Sequence, residues 1–122
     1  LSAPDAPSPQ GGYAQAVQVD SATRLLFISG QIPVTSDGEV PDSFEAQAEV
    51  VWANLEAQLR AAGMTFANLV KVTTFLADRA DAAANRAVRQ RMLGARTPAL
   101  TVIITGIFDT AWKIEIEAIA AA

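Results

Sequence analysis

The 122-residue chain contains neither cysteine nor histidine. Without thiols it has no disulfide, no thiolate nucleophile and no cysteine-ligated metal. Without imidazole it lacks the usual general base, the Ser-His-Asp arrangement and the commonest metal ligand. Carboxylates could still hold a hard cation, but no acidic run has the spacing of a calcium loop, so no metal is expected. No apolar run reaches the length of a membrane span and no signal peptide is visible, so the reading is a cytoplasmic protein without a membrane partner. Basic residues are also scarce, with nine Lys and Arg against thirteen Asp and Glu and a net charge of −4. Polyanion binding needs a concentrated basic face. The loose grouping Arg86, Arg89, Arg91 and Arg96 reads instead as the solvated side of a helix, and nucleic acid is not an expected partner.

What is present is apolar material, 51% of the residues, enough for one core and one domain over residues 1–122. Residues 1–12, rich in Pro, Ser, Ala and Gly, form an irregular arm. Tyr13 to Val19 alternates weakly and reads as a strand, joined by a hairpin at Asp20 to Thr23 to a second strand at Arg24 to Ser29. Gly30 to Pro41 is loop, with a turn at Asp37-Gly38. A helix follows: Asp42 is a candidate cap with Glu45 three residues on. Phe44, Ala48, Val51, Leu55, Leu59 and Ala62 make one apolar stripe, and Gly63 supplies a left-handed stop.

Val70 to Leu76 is a β-branched strand, and Asp81 to Leu93 a second helix with Ala84, Val88 and Met92 on one side and Gly94 at its end. Ala99 to Thr105, apolar on both faces, predicts a central strand covered on both sides. Trp112 to Ala120 is the last strand. The fold class is α+β, with two helices covering one side of a mixed sheet. No further helix is available for the other side, which predicts a homo-oligomer.

On the last strand Ile114, Ile116 and Ala118 face the helices, while Lys113, Glu115 and Glu117 share the opposite face. The two glutamates are either an exposed charged surface or, if that face lies in a subunit cleft, candidates for chemistry, since a carboxylate is costly to bury alone.

Lys113 to Ala120 resembles the C-terminal signature of the Rid family, also called the YjgF family. Gly12-Tyr13 with Gln15-Ala16-Val17, Ile28 to Pro33, and Leu69 to Asp78 are similar to three further motifs of that family in the same order, and the likeness covers nearly the whole chain. The resemblance implies a chorismate-mutase-like fold and a homotrimer with small-molecule clefts between subunits. It also implies a cofactor-independent hydrolase that converts imines and enamines derived from amino acids to 2-oxo acids and ammonia.

By the same resemblance Glu115 would orient the attacking water and Tyr13, also of the catalytic set, would line the pocket. Ser29, Asn85, Leu100 and Val102 would form the rest of the binding site. Two positions depart from the family. Leu100 stands where typical deaminases carry an arginine that grips the substrate carboxylate by charge-assisted hydrogen bonds, which argues against typical 2-imino-acid deamination. With Val102 and Ile104 beside Leu100, the wall is expected to be apolar and to select an apolar or uncharged ligand. Arg96, Arg24 and Lys71 are the cations considered as replacements. Gly11 stands in place of a proline. The alternative reading is a non-enzymatic trimer that binds metabolites or partner proteins. A ribonuclease, attached to some relatives, suits a histidine-free acidic chain badly.

Overall fold

A computed structural model describes all residues from Leu1 to Ala122. The apolar stripe forms helix α1, Phe44–Ala61, and buries Phe44, Ala48, Val51, Trp52, Leu55 and Leu59. Its cap is Ser43 rather than the expected Asp42: the Ser43 hydroxyl accepts from the Ala46 amide at 3.2 Å. Serine in extended backbone one residue later satisfies the same orphan donors. Gly63, at φ +71°, ends the helix as expected. Helix α2, Ala82–Leu93, is preceded by a short 3₁₀ turn, Arg79–Asp81, which the Asp78 carboxylate caps.

Strand β1 is Leu25–Gln31, β2 Leu69–Leu76, β3 Ala99–Ile104 and β4 Ile114–Ala121. They form a single sheet in the order β1-β4-β2-β3, with β4 antiparallel to β1 and β2, and β2 parallel to β3. Alternation on β4 puts Ile114, Ile116, Ala118 and Ala120 into one core with Val72, Leu76 and the buried residues of both helices. Both helices therefore cover the same side of the sheet. Truncating a fully buried member such as Leu55 or Leu76 to alanine would cost about 2–5 kcal/mol. Gln47, also buried, ties the start of α1 to the entry of β4. Its Nε2 donates to the Pro41 and Ala111 carbonyls at 2.9 and 3.0 Å, and its Oε1 accepts from the Lys113 amide at 2.8 Å. No helix is long and apolar enough to cross a membrane.

Two expected elements differ. Tyr13 to Val19 is not a strand: Ala14 alone bridges to Ala99, while Ala16 exchanges backbone hydrogen bonds with Leu1. The hairpin is absent too, because the Thr23 and Arg24 amides donate to the Ala122 carbonyl at the end of β4. Nor is β3 central. It is an edge strand with Val102 and Ile103 exposed. Its second apolar face is real, but nothing in one chain covers it, and apolarity alone does not say whether the cover comes from the same chain.

The side of the sheet away from the helices carries Leu25, Phe27 and Ser29 of β1, Glu115, Glu117 and Ile119 of β4, and Lys71, Thr73 and Phe75 of β2. Phe27 is 70% exposed there. A phenylalanine side chain gains about 1.5–3 kcal/mol on full burial, so this face is poorly suited to water.

Candidate functional site

Glu115 projects from β4 on the open sheet face, opposite Phe75 of β2. Its carboxylate forms neither of the chain's two ion pairs and none of its side-chain hydrogen bonds. What seats it is Gly30. The β1–β4 register slips between Ile28 and Gln31, and the slip brings Gly30 against the glutamate head. A Cβ on Gly30 would overlap Glu115 Oε2 and lie 2.8 Å from its carboxyl carbon. Glycine is required here for space, since its φ is not in the left-handed region. A hollow beside Glu115 is lined by Phe75, Thr105, Gly106, Ile107, Phe108 and Glu117. Phe108 is 95% exposed and leans on Trp112, ring centroids 6.4 Å apart. A neighbouring hollow on the same face holds Ser29 with Phe27, Lys71, Thr73 and Ile119. Lys71 donates to the Thr101 hydroxyl at 2.7 Å.

Tyr13, Leu100 and Val102 lie elsewhere. The arm is pinned to β3 by the Ala14 amide, which donates to the Pro98 carbonyl at 3.0 Å. Between arm, β3 edge and α2 runs a groove of about 340 Å³ lined by Gln10, Tyr13, Gln15, Arg86, Arg89, Leu100 and Val102. That is within the usual range for small-ligand sites. Tyr13 Oη accepts from the Gln10 amide at 3.1 Å, which leaves its own proton to donate. Gly11 and Gly12 adopt φ +111° and +73°. A proline is locked near −65°, so the arm takes a path that a proline at position 11 would forbid.

The register pairs Leu100 with Val72, Val102 with Thr74 and Ile104 with Leu76. These three therefore share the helix-covered side, the side opposite Glu115 and Ser29. Within one chain the six expected site residues split into Glu115 and Ser29 on the open face, and Tyr13, Leu100 and Val102 in the edge groove. Asn85 belongs to neither set. It is 3% exposed on α2 and absent from the groove lining.

The wall around Leu100 is not apolar. Arg86 and Arg89 stand in it, and the four arginines read as one solvated face are divided. Arg89 is 4% exposed, Arg91 pairs with Glu49 at 2.9 Å, and Arg96 Nη1 donates to the Leu93 carbonyl. Arg24 is engaged by the Ala62 carbonyl at 2.6 Å, and Lys71 lies on the open face. None of the three replacements considered reaches the groove. Burial, reinforced by the like charge of Arg86, lowers the Arg89 pKa from its ordinary value, with Tyr13 opposing. The signal for Arg89 was present in the sequence: Asn85, Val88, Arg89, Met92 and Leu93 fall at helical steps, and four of those five are buried. Three or more metal-ligating side chains are nowhere grouped closely enough to hold an ion.

The family model described as endoribonuclease L-PSP matches residues 3–122. The chain is 40% identical over 117 residues to the protein DfrA of Myxococcus xanthus, covering 94% of this chain and 88% of that one. It is 36% identical to the 2-iminobutanoate/2-iminopropanoate deaminase of Mus musculus, covering 98% and 88%. Among solved structures it is similar to YyfB of the Rid protein family from Yersinia pestis, with a TM-score of 0.80, 29% identity and coverage of 94% and 96%. It is similar also to E. coli TdcF with bound serine, with a TM-score of 0.77, 32% identity and coverage of 96% and 93%.

Proposed function

The chain belongs to the Rid (YjgF) family, and from that premise we propose that it binds and hydrolyses small imine- or enamine-type metabolites in clefts between the subunits of a homotrimer. The observation that carries this reading is the Glu115 carboxylate, seated over Gly30 without a partner on an open sheet face. Two further features support it. The apolar open face calls for cover by a second copy. The expected site residues divide between two sides of the sheet, an arrangement that becomes one site if the open face of one subunit meets the edge groove of the next.

The chemistry asks little of the protein. An imine carbon is electrophilic, and hydrolysis needs an oriented water and proton transfers but no redox or group-carrying cofactor. In the proposed site Glu115 accepts a proton from the water as its oxygen bonds to the imine carbon. Glu115 returns that proton to the nitrogen, giving a carbinolamine. Its hydroxyl proton is then passed to the nitrogen in the same way as the C–N bond breaks and the C=O bond forms, and a carbonyl compound and ammonia leave. Tyr13, its oxygen already accepting from Gln10, donates its proton to the ligand and fixes its orientation. Ser29 and Val102 complete the lining, and Leu100 supplies no grip. Asn85 acts from behind the wall rather than in it.

A second reading, a trimer that binds metabolites or partners without turning them over, is favoured by Leu100 itself. Imines generated in situ from several amino acids by an oxidase separate the two. Acceleration of oxo-acid release that is lost in Glu115→Gln supports the hydrolase, and no acceleration with any amino acid supports the binder. The ribonuclease named in the family description has little support, because the chain is net negative and its arginines are divided between different surroundings rather than gathered on one exposed face.

A further inference from the structure

Arg89 has no part in the mechanism above. It is 4% exposed, forms neither of the two ion pairs, and has a buried Nε without a hydrogen-bond partner. A guanidinium stays protonated at neutral pH, so the molecule keeps a largely buried cation on the groove wall with no carboxylate at ion-pair distance. Such an arrangement is destabilising unless an anion completes it. The only charged neighbour in the groove is Arg86, one turn back and exposed, which adds to the positive field rather than offsetting it.

The position also fits a ligand. Arg89 lines the groove with Tyr13 and Leu100, and its Nη2 lies under the arm, 3.7 Å from where a Cβ on Gly12 would stand. Leucine at position 100 is shorter than an arginine and offers no donor of its own in the groove. We infer that Arg89, on α2, is the anion-receiving residue of this cleft, doing from the helix what the arginine missing at position 100 does from the strand in typical relatives. The ligand is then a small 2-oxo or 2-imino carboxylate and not an uncharged molecule. This inference rests on the cleft reading above and names its substrate class. The exposed Arg86 adds long-range attraction for the same carboxylate.

Titration calorimetry with 2-oxobutanoate and its uncharged analogue 2-oxobutanamide tests it. Wild type should bind the acid at least about tenfold more tightly than the amide, the scale of one charge-assisted hydrogen bond or more. Arg89→Gln should abolish the preference, and Arg89→Gln with Leu100→Arg should restore it. A measurement that needs no variant to fold is the ¹⁵N spectrum of arginine side chains in wild type. The Arg89 Nε–H resonance should move with the acid and not with the amide. A merely structural Arg89 would lower thermal stability on substitution but leave the acid-to-amide ratio unchanged. Equal binding of the two probes by wild type, a preference retained in Arg89→Gln, or an unmoved Arg89 resonance overturns the inference while leaving a small-molecule cleft in place. Failure of both probes to bind removes the cleft reading with it.

Discussion

The two charged walls of the molecule are built on opposite terms. On the open sheet face Glu115 is half-buried, unpaired and held by the space that Gly30 leaves. At the sheet edge Arg89 is almost completely buried, also unpaired, and overlaid by an arm that reaches β3 at Ala14. A half-exposed carboxylate keeps much of its hydration and costs little to leave alone. A buried guanidinium does not, so the edge is where the fold stores an unmet electrostatic demand. Under the proposed function the difference becomes a division of labour: the sheet face handles water and protons, and the edge handles the charge of the ligand.

The predictions probe that division. The largest effect should follow Glu115→Gln, which removes the proposed proton acceptor and should lower turnover by roughly 10²–10⁴-fold while leaving the binding of 2-oxobutanoate within a few-fold of wild type. Loss of binding in step with turnover would collapse the two walls into one. Next is Gly30→Ala, where the new methyl must displace the Glu115 head. A misplacement near 1 Å costs on the order of 10²-fold in rate, and a calorimetric titration should find the acid-to-amide preference unaltered.

Phe27→Asp puts a charge on the uncovered face and should leave a folded monomer by sedimentation, where the proposed assembly predicts a trimer for wild type. A trimeric Phe27→Asp would place the contact elsewhere. Gln47→Ala deletes three hydrogen bonds away from both walls and should lower stability in urea by about 2–4 kcal/mol with turnover per folded molecule unchanged. The smallest effect belongs to Glu117→Gln. Its exposed side chain has no ion-pair partner, so stability should shift by less than about 0.5 kcal/mol and turnover should barely move. A large loss would exchange the roles of the two glutamates.

Much of the scaffold could be read from spacing, because helix α1 and strand β4 each bury one face with a regular period. The glutamates at 115 and 117 were found that way, and the ordered motifs identified the family. What escaped depends on non-local partners. Tyr13 to Val19 alternates like a strand, but its amides have no partner strand in the chain, and Ala14 alone reaches β3. Strand β3 is apolar on both faces, yet the sheet order makes it an edge, and no local pattern reports order. Arg89 was missed for a different reason. Charge composition suggested a solvated face, whereas its helical phase with Val88 and Leu93 placed it inside, and phase should have outweighed composition. Gly30 could not be recognised as space for Glu115 without the β1–β4 register, which slips at that point.

The central claim is that the two walls meet only between copies of the chain, and co-refolding two inactive variants tests it most directly. Glu115→Gln and Arg89→Gln chains, each defective alone, would be unfolded together in equal amounts, refolded and assayed for hydrolysis of 2-iminobutanoate generated in situ. If each cleft takes Glu115 from one subunit and Arg89 from its neighbour in a closed ring, random mixing makes roughly one cleft in four fully intact, and activity should return to about that fraction of wild type. A mixture as inactive as its two parents would contradict the account.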